Sequence, residues 1–388
     1  MSEAELIYDL PRLEELSAEW DVLAVMNAAP ESGPAWMIGW WRHVAPHEAQ
    51  LRVVAVHDRG QVIGIAPLYV DLGQPRLRRR HRLLASDFSG YVTPLALPDR
   101  AWEVADAVAH ALRASEPRPA ALELGPLPAT SPWVMALRER WPGPLRPLAY
   151  RADLLEVPTI SLHQGSFEEW LQSRSSRFRA NCNRYRRRFE QEGGTERIST
   201  PATVTADIQT FTRLHIARWQ GLGSSRLAAL GERLPLLLGE LAPALLGEGR
   251  FRLLIFEIDG EPISADLCLT AGGEIIGVNI GWDERFKHLS APRLSMLSMI
   301  ERGFRHGDRR FSLGWGRVDY KHAFANGSDA ASWDVLLPVG SRLPPALARA
   351  APAVASRRAL QSAKRLLPAE EVDRLRVLRK RISRARQQ

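Results

Sequence analysis

Leu51-Arg52-Val53-Val54-Ala55-Val56-His57-Asp58-Arg59-Gly60-Gln61-Val62-Ile63-Gly64-Ile65-Ala66 returns in pattern far downstream, as Phe251-Arg252-Leu253-Leu254-Ile255-Phe256-Glu257-Ile258-Asp259-Gly260-Glu261-Pro262-Ile263-Ser264-Ala265-Asp266. Each copy is an apolar run, a tight turn closed by Gly60 or Gly260 where a positive φ is cheap, and a second apolar run. That is the pattern of a β-hairpin. In each copy a helical segment then leads to a short strand ending in Leu-Gly, at Leu122-Glu123-Leu124-Gly125 and at Phe311-Ser312-Leu313-Gly314. Two landmarks repeated in the same order predict a duplicated α/β fold built on mixed sheets.

A chain of 388 residues is longer than one hydrophobic core usually serves. The expected units are residues 1–158, 159–340 and a basic helical tail over 341–388. The net charge of +8 is carried by arginine, since lysine occurs only at Lys287, Lys321, Lys364 and Lys380. Cys182 and Cys268 give neither a disulfide framework nor a zinc spacing, so no metal is expected and a reducing cytoplasm fits best. Met1-Ser2-Glu3-Ala4-Glu5 is acidic and leads into a mixed amphipathic helix, unlike a signal peptide, and no run is long and apolar enough to span a bilayer. The expected location is cytoplasmic, with peripheral contact at the inner membrane face through the tail.

Helices are expected over 11–28 and 34–44, the second placing Trp36, Trp40 and Trp41 in the core. A basic stretch at 76–82, a polar loop at 86–91, helices at 100–113 and near 133–141 and a strand at 152–157 complete the first copy. An arginine-rich helix over 174–190, stopped by Gly193-Gly194, is expected to bridge the copies, with Phe178, Tyr185 and Phe189 toward the protein. The second copy adds helices at 205–220 and 235–246, a third strand at 274–282, a helix at 292–306 and a last strand at 333–339. In the tail, 370–386 reads as a basic helix with Val372, Leu375, Leu378 and Ile382 on one face, suited to a membrane surface or a partner.

The chain has no Walker lysine loop, no Gly-x-Ser-x-Gly elbow, no clustered metal ligands and no dinucleotide glycine fingerprint. What remains is a polar cluster, Gly316-Arg317-Val318-Asp319-Tyr320-Lys321-His322-Ala323-Phe324, just past the second Leu-Gly strand. Together with Pro34-Ala35-Trp36, Trp40-Trp41, Gly64-Ile65-Ala66-Pro67-Leu68-Tyr69, the arginine-rich helix and Gly281-Trp282-Asp283, it resembles the GNAT superfamily of N-acyltransferases. The likeness is to its BioF2-like or CelD-like branch, found near cellulose and exopolysaccharide genes and related to the Fem peptidyltransferases.

The resemblance implies tandem GNAT-like domains, with the acyl-CoA site in the second copy and an amine acceptor, free or sugar-linked, in the cleft between copies. It implies that the backbone of the third strand, around Val278 and Asn279, pairs with pantetheine. The donor's pyrophosphate would lie at the turn and helix start marked by Lys287, Ser290, Arg293, Leu294 and Ser295. Arg293 stands where this branch usually keeps a glycine. Asp283 and Asp266 are the expected bases for the amine, Tyr320 the acid for the leaving thiolate, and Lys321 a phosphate or oxyanion ligand. Two other readings stay open: a Fem-like transferase drawing on aminoacyl-tRNA, with the basic helix holding RNA, and a non-catalytic GNAT scaffold serving an envelope polysaccharide machine.

Overall fold

Both hairpins turn through two residues with positive φ, Arg59 (52°) and Gly60 (81°) in the first, Asp259 (48°) and Gly260 (79°) in the second. This is the type I′ geometry that matches strand twist. Each hairpin carries a bulge at the equivalent place, between Val56 and His57 and between Phe256 and Glu257. The repeat read in the sequence is therefore a repeat of backbone detail as well as of hydrophobic pattern.

The structure is a computed structural model and describes residues 2–75, 79–220, 225–315 and 319–338. In chain order the first half contains β1 (Glu3–Ile7), α1 (Leu10–Glu15), α2 (Ser17–Met26), α3 (Pro34–His43), β2 (Ala49–Leu51), β3 (Val53–Asp58) and β4 (Gln61–Ala66). It continues with β5 (Leu68–Asp71), β6 (His81–Leu83), β7 (Leu95–Ala96), α4 (Ala101–Ala114), β8 (Leu122–Pro128), α5 (Trp133–Arg140) and β9 (Leu148–Ser161). The second half contains α6 (Phe167–Gln172), α7 (Ser176–Gln191), β10 (Gly194–Ile198), α8 (Val204–Trp219), α9 (Arg233–Leu245), β11 (Phe251–Ile258) and β12 (Glu261–Ala271). It ends with β13 (Glu274–Trp282), α10 (Ala291–His306), β14 (Arg310–Ser312), α11 (Asp319–Phe324) and β15 (Gly327–Leu337).

Among the described residues the strands form a four-stranded sheet, β1-β3-β4-β7, and an eleven-stranded sheet, β10-β11-β12-β13-β14-β9-β15-β8-β6-β5-β2. The larger sheet is continuous across both halves. β9 hands its end, Thr159 to Ser161, to β14, and β15 runs antiparallel beside β9 while its other edge pairs with β8. One hydrophobic cluster likewise spans the halves, joining Trp20, Trp36 and Met37 to Leu237 and Leu241 of α9. A second cluster packs α10 against β11, β12 and β13 through Leu297, Ile300, Phe256 and Ile275.

Several expected elements differ. The segment before residue 10 holds a strand, β1, registered against β3, and the helix expected over 11–28 is broken at Leu16 (φ −86°, ψ 1°) into α1 and α2. The strand expected at 152–157 is the 14-residue β9, and the one expected at 333–339 begins six residues earlier as β15. The arginine-rich helix α7 does not bridge the halves: it buries Cys182 and Phe189 in the second cluster, with the Phe189 ring tilted against Phe256 at a centroid distance of 5.0 Å, and the covalent bridge is β9. The tail expected from 341 onward, residues 76–78 of the basic stretch at 76–82 and Gly316-Arg317-Val318 lie outside the described residues.

Candidate active site

β13 and β14 run parallel for three residue pairs, from Glu274 with Arg310 to Ile276 with Ser312, and then part. Leu313 turns away to bond Pro158 through its amide, and Gly314 follows with φ 72°. Beyond Ile276, β13 is paired on one side only, to β12, and it bulges at Val278, since Leu267 faces Asn279 while Cys268 faces Gly277. A bulge beside an unpaired edge re-aims backbone and side chains locally. The opening is a cleft of about 370 Å³ whose floor includes Gly277, Val278, Asn279 and Ile280.

Successive residues of a strand face opposite sides of the sheet. Asp266 and Cys268 of β12 point to the α10 side, while Ala265 and Leu267 pack with α8 in the first cluster. On the α10 side, Ser295 Oγ donates to Asp266 Oδ2 at 2.8 Å. Burial lifts the Asp266 carboxyl to about 6, against the Ser295 hydrogen bond, which lowers it. Tyr320 and Lys321 line the same cleft from α11. That short helix is anchored by Phe324, fully buried between Trp170 and Phe178, with ring centroids at 6.4 and 4.8 Å. The Tyr320 phenol is pushed up by burial and then by the charge of Asp266, and Arg293 opposes the shift. Burial pulls Lys321 down to about 8, and its Nζ donates to the Gly314 carbonyl at 3.3 Å.

The opposite side is walled by residues of both halves. Asp87 accepts two bonds from Arg82, at 2.8 and 3.0 Å, and one from Arg226 at 2.8 Å. His215 of α8, buried and stacked on Phe211, reaches Ile280 O with Nδ1 at 3.1 Å and Ser225 Oγ with Nε2 at 2.9 Å. Glu31 also lines the cleft. It is 1% exposed, and its Oε2 accepts the Gly90 amide at 2.7 Å and the Tyr91 amide at 2.9 Å. Burial raises its carboxyl to about 8 against those two bonds.

The turn expected to hold the donor's phosphates carries no glycine. Ser290 sits in the left-handed region (φ 56°, ψ 44°), and its carbonyl takes the amides of Arg293 (2.8 Å) and Leu294 (3.3 Å). Pro292 has no N–H. The polar groups at this turn are side chains: Arg293 contacts Ser290 Oγ and the Tyr185 hydroxyl, both at 3.3 Å, and lies with Arg184 over the Tyr185 ring. Lys287 belongs to the turn that leads into Ser290.

Of the residues singled out in the sequence, Asp266, Tyr320, Lys321, Val278 and Asn279 meet at the cleft, with Ser295 bonded to Asp266. Leu294 is a core side chain. Asp283 is not among the cleft-lining residues; it accepts the Arg285 amide (2.9 Å) and Arg285 Nε (2.8 Å), which hold its carboxyl below the usual carboxylate range. A carboxylate so tied is a turn cap. Glu31, Asp87, Trp219 and Arg226 were not legible as site residues, although the loop carrying Asp87 stands out as polar. Pro30-Glu31-Ser32 reads as an ordinary helix entry, and only tertiary packing puts that glutamate inside. Among the described residues no group of His, Cys, Asp and Glu side chains is placed to hold a metal ion.

The mixed sheet thus opens between two parallel strands, with Tyr320 and the carboxyl groups of Asp266 and Glu31 lining the opening. Residues 176–322 match the family model described as the acetyltransferase (GNAT) domain. FemX superposes with a TM-score of 0.60 at 12% identity, covering 87% of this chain and 98% of FemX. A conserved protein of unknown function from Bacteroides thetaiotaomicron gives 0.55 at 9% identity, over 86% of this chain and all (100%) of that one. The C-terminal domain of a candidate lysylphosphatidylglycerol synthetase from Agrobacterium fabrum gives 0.53 at 11% identity, over 86% and 95%. At these identities the likeness is one of fold. No curated protein matches the sequence.

Proposed function

We propose that the protein is an N-acyltransferase that moves an acyl group, acetyl foremost, from a coenzyme A thioester to the amine of a small metabolite or sugar-linked precursor. The observation that carries this reading is the parting of β13 from β14, which leaves the bulged edge at Val278 and Asn279 unpaired beside Asp266, Tyr320 and Lys321. Coenzyme A supplies the acyl group in activated form. The free edge of β13 is suited to pair with the amides of the pantetheine arm, and Arg293, Ser290 and Lys287 to hold its phosphates by side chain. Tyr320, kept protonated by burial, can give its proton to the departing thiolate. Lys321, on the cleft wall, can stabilise the developing oxyanion.

Calorimetric titration with acetyl-CoA and a longer acyl-CoA, repeated on Arg293→Glu, tests the reading. Saturable binding weakened by the substitution supports it; no binding of either thioester overturns it. One feature favours a second donor, aminoacyl-tRNA. Arg177, Arg184, Arg187 and Arg188 are exposed on α7, next to the turn at Ser290. Salt-sensitive tRNA binding without affinity for coenzyme A would select that donor, and binding of neither would leave a scaffold role.

A further inference from the structure

The opening between β13 and β14 is lined from both faces of the sheet, and each face presents a carboxyl group. Asp266 is on the α10 face, beside the turn proposed to hold the donor, and its Oδ2 is taken by Ser295. Glu31 is on the other face. The turn that carries it packs on β12 and β13, and its hydrogen-bond partners, Gly90 and Tyr91, lie over Ile276, the last residue of β13 to pair with β14. A Cβ on Gly90 would lie 3.2 Å from Glu31 Oε2 and 3.6 Å from Ile276 Cγ2, so this carboxyl sits where the strands begin to part.

Its two oxygens differ. Oε2 is held by two backbone amides, which fixes the side chain, whereas among the described residues Oε1 has no hydrogen-bond partner. The charged groups around it are committed elsewhere: Asp87 to Arg82 and Arg226, Asp266 to Ser295, and Lys321 to the Gly314 carbonyl. Tyr320, across the opening, is uncharged at neutral pH. A buried carboxyl pinned by one oxygen, with the other free at the cleft, is built to meet a cation that arrives from the face opposite the donor.

We propose that Glu31, a residue of the first half, is the base that takes the proton from the acceptor's primary ammonium group. This rests on the acyl-CoA reading above. The ammonium gives one proton to Glu31 Oε1, which passes it to solvent. The neutral amine attacks the thioester carbonyl carbon, the C–N bond forms, and the C–S bond breaks. The second nitrogen proton leaves as the tetrahedral adduct collapses, and the thiolate is protonated through Tyr320, so that amide, thiol and one released proton are the products. The raised proton affinity of Glu31, about 8 against the usual 4.5, brings it toward that of an amine and makes the transfer less uphill.

The test compares the whole chain with Glu31→Gln, whose side-chain oxygen can still accept from Gly90 and Tyr91. Acetyl-CoA binding is measured by calorimetry. Thiol release is followed from pH 6.5 to 10 with two acceptor probes, Nα-acetyl-lysine amide, with an amine of pKa ~10.4, and glycylglycine, with one near ~8. The expected result is unchanged acetyl-CoA affinity and a loss of about 100-fold or more toward the lysine probe at pH 7.5. The deficit should be smaller toward glycylglycine and should shrink for both as pH approaches the amine's own pKa. A merely structural role would give a loss independent of pH and of probe, and that result overturns the proposal. So does wild-type-like transfer by Glu31→Gln, or a wild-type protein that binds acetyl-CoA yet acetylates neither probe. Absence of acetyl-CoA binding by the wild type overturns the donor reading itself, and this proposal with it.

Discussion

Ser295 and Asp266 meet at 2.8 Å, the hydroxyl of α10 donating to the carboxylate of β12 and tying the helix start to the strand that borders the cleft. Burial holds Asp266 near 6, above its ordinary 3.8. An acid whose folded pKa is raised costs nothing while protonated in both states. The cost grows as pH rises from about 3.8 to 6 and is complete above that. Asp266→Asn, which can still accept from Ser295, should therefore be more stable than wild type at pH 7.5, by on the order of 2 kcal/mol, with the gap closing toward pH 4. Urea unfolding at the two pH values checks this. Ser295→Ala removes the bond that lowers Asp266 and should move the carboxyl further up.

Arg250 and Asp21 join the two halves. Arg250 Nη1 and Nη2 reach the Asp21 oxygens at 2.6 and 2.9 Å, and the arginine side chain is only 9% exposed. Removing one member of such a pair leaves the other short of partners, so Arg250→Ala should cost about 3 kcal/mol. The urea midpoint should fall, and because one core cluster spans the halves, probes in either half should report the same transition.

Local signals were the readable part of this fold. Gly60 and Gly260 mark their turns because a two-residue loop needs positive φ, and the third strand was bounded correctly at Glu274–Trp282 by its apolar run. Trp36 and Trp40 are core residues, as their place on an amphipathic helix implied. Unreadable were the features that depend on distant chain. β9 and β15 exceed their apolar segments because each lends an edge to the other, and exposed residues such as Leu154 and Leu148 blur the period. The site divides in the same way. Tyr320 and Lys321 stand in a compact motif, whereas Glu31 becomes a buried acid only when the loop at Gly90 folds over it.

Gly281 marks the closest approach of α8 to β13. A Cβ there would lie 2.4 Å from the His215 nitrogen and 2.8 Å from the Leu214 carbonyl carbon, both backbone atoms that cannot swing aside. Gly281→Ala must push α8 off the strand and disturb the His215 bond to Ile280. We expect a loss of about 1–3 kcal/mol, read as a lower Tm. Under the acyl-CoA reading proposed above, acetyl-CoA affinity should weaken along with it, since the unpaired stretch of β13 ends at that contact.

Lys321 presents the opposite balance of stability and activity. Burial pulls its ammonium down to about 8 from the usual 10.5. For a base with a lowered folded pKa, the cost of holding the charge is fully present below about 8, fades as pH rises, and is gone above about 10.5. Lys321→Met keeps the stem and removes the charge. It should therefore be more stable than wild type at pH 7, by on the order of 2 kcal/mol given the water that reaches the cleft, and no more stable at pH 10.5. Acyl transfer should fall by about 100-fold or more if the ammonium stabilises the oxyanion. Parallel urea unfolding and thiol-release assays decide it. A variant that is less stable at pH 7 yet transfers normally would make Lys321 a packing residue held by Gly314, and would leave oxyanion stabilisation to other groups at the cleft.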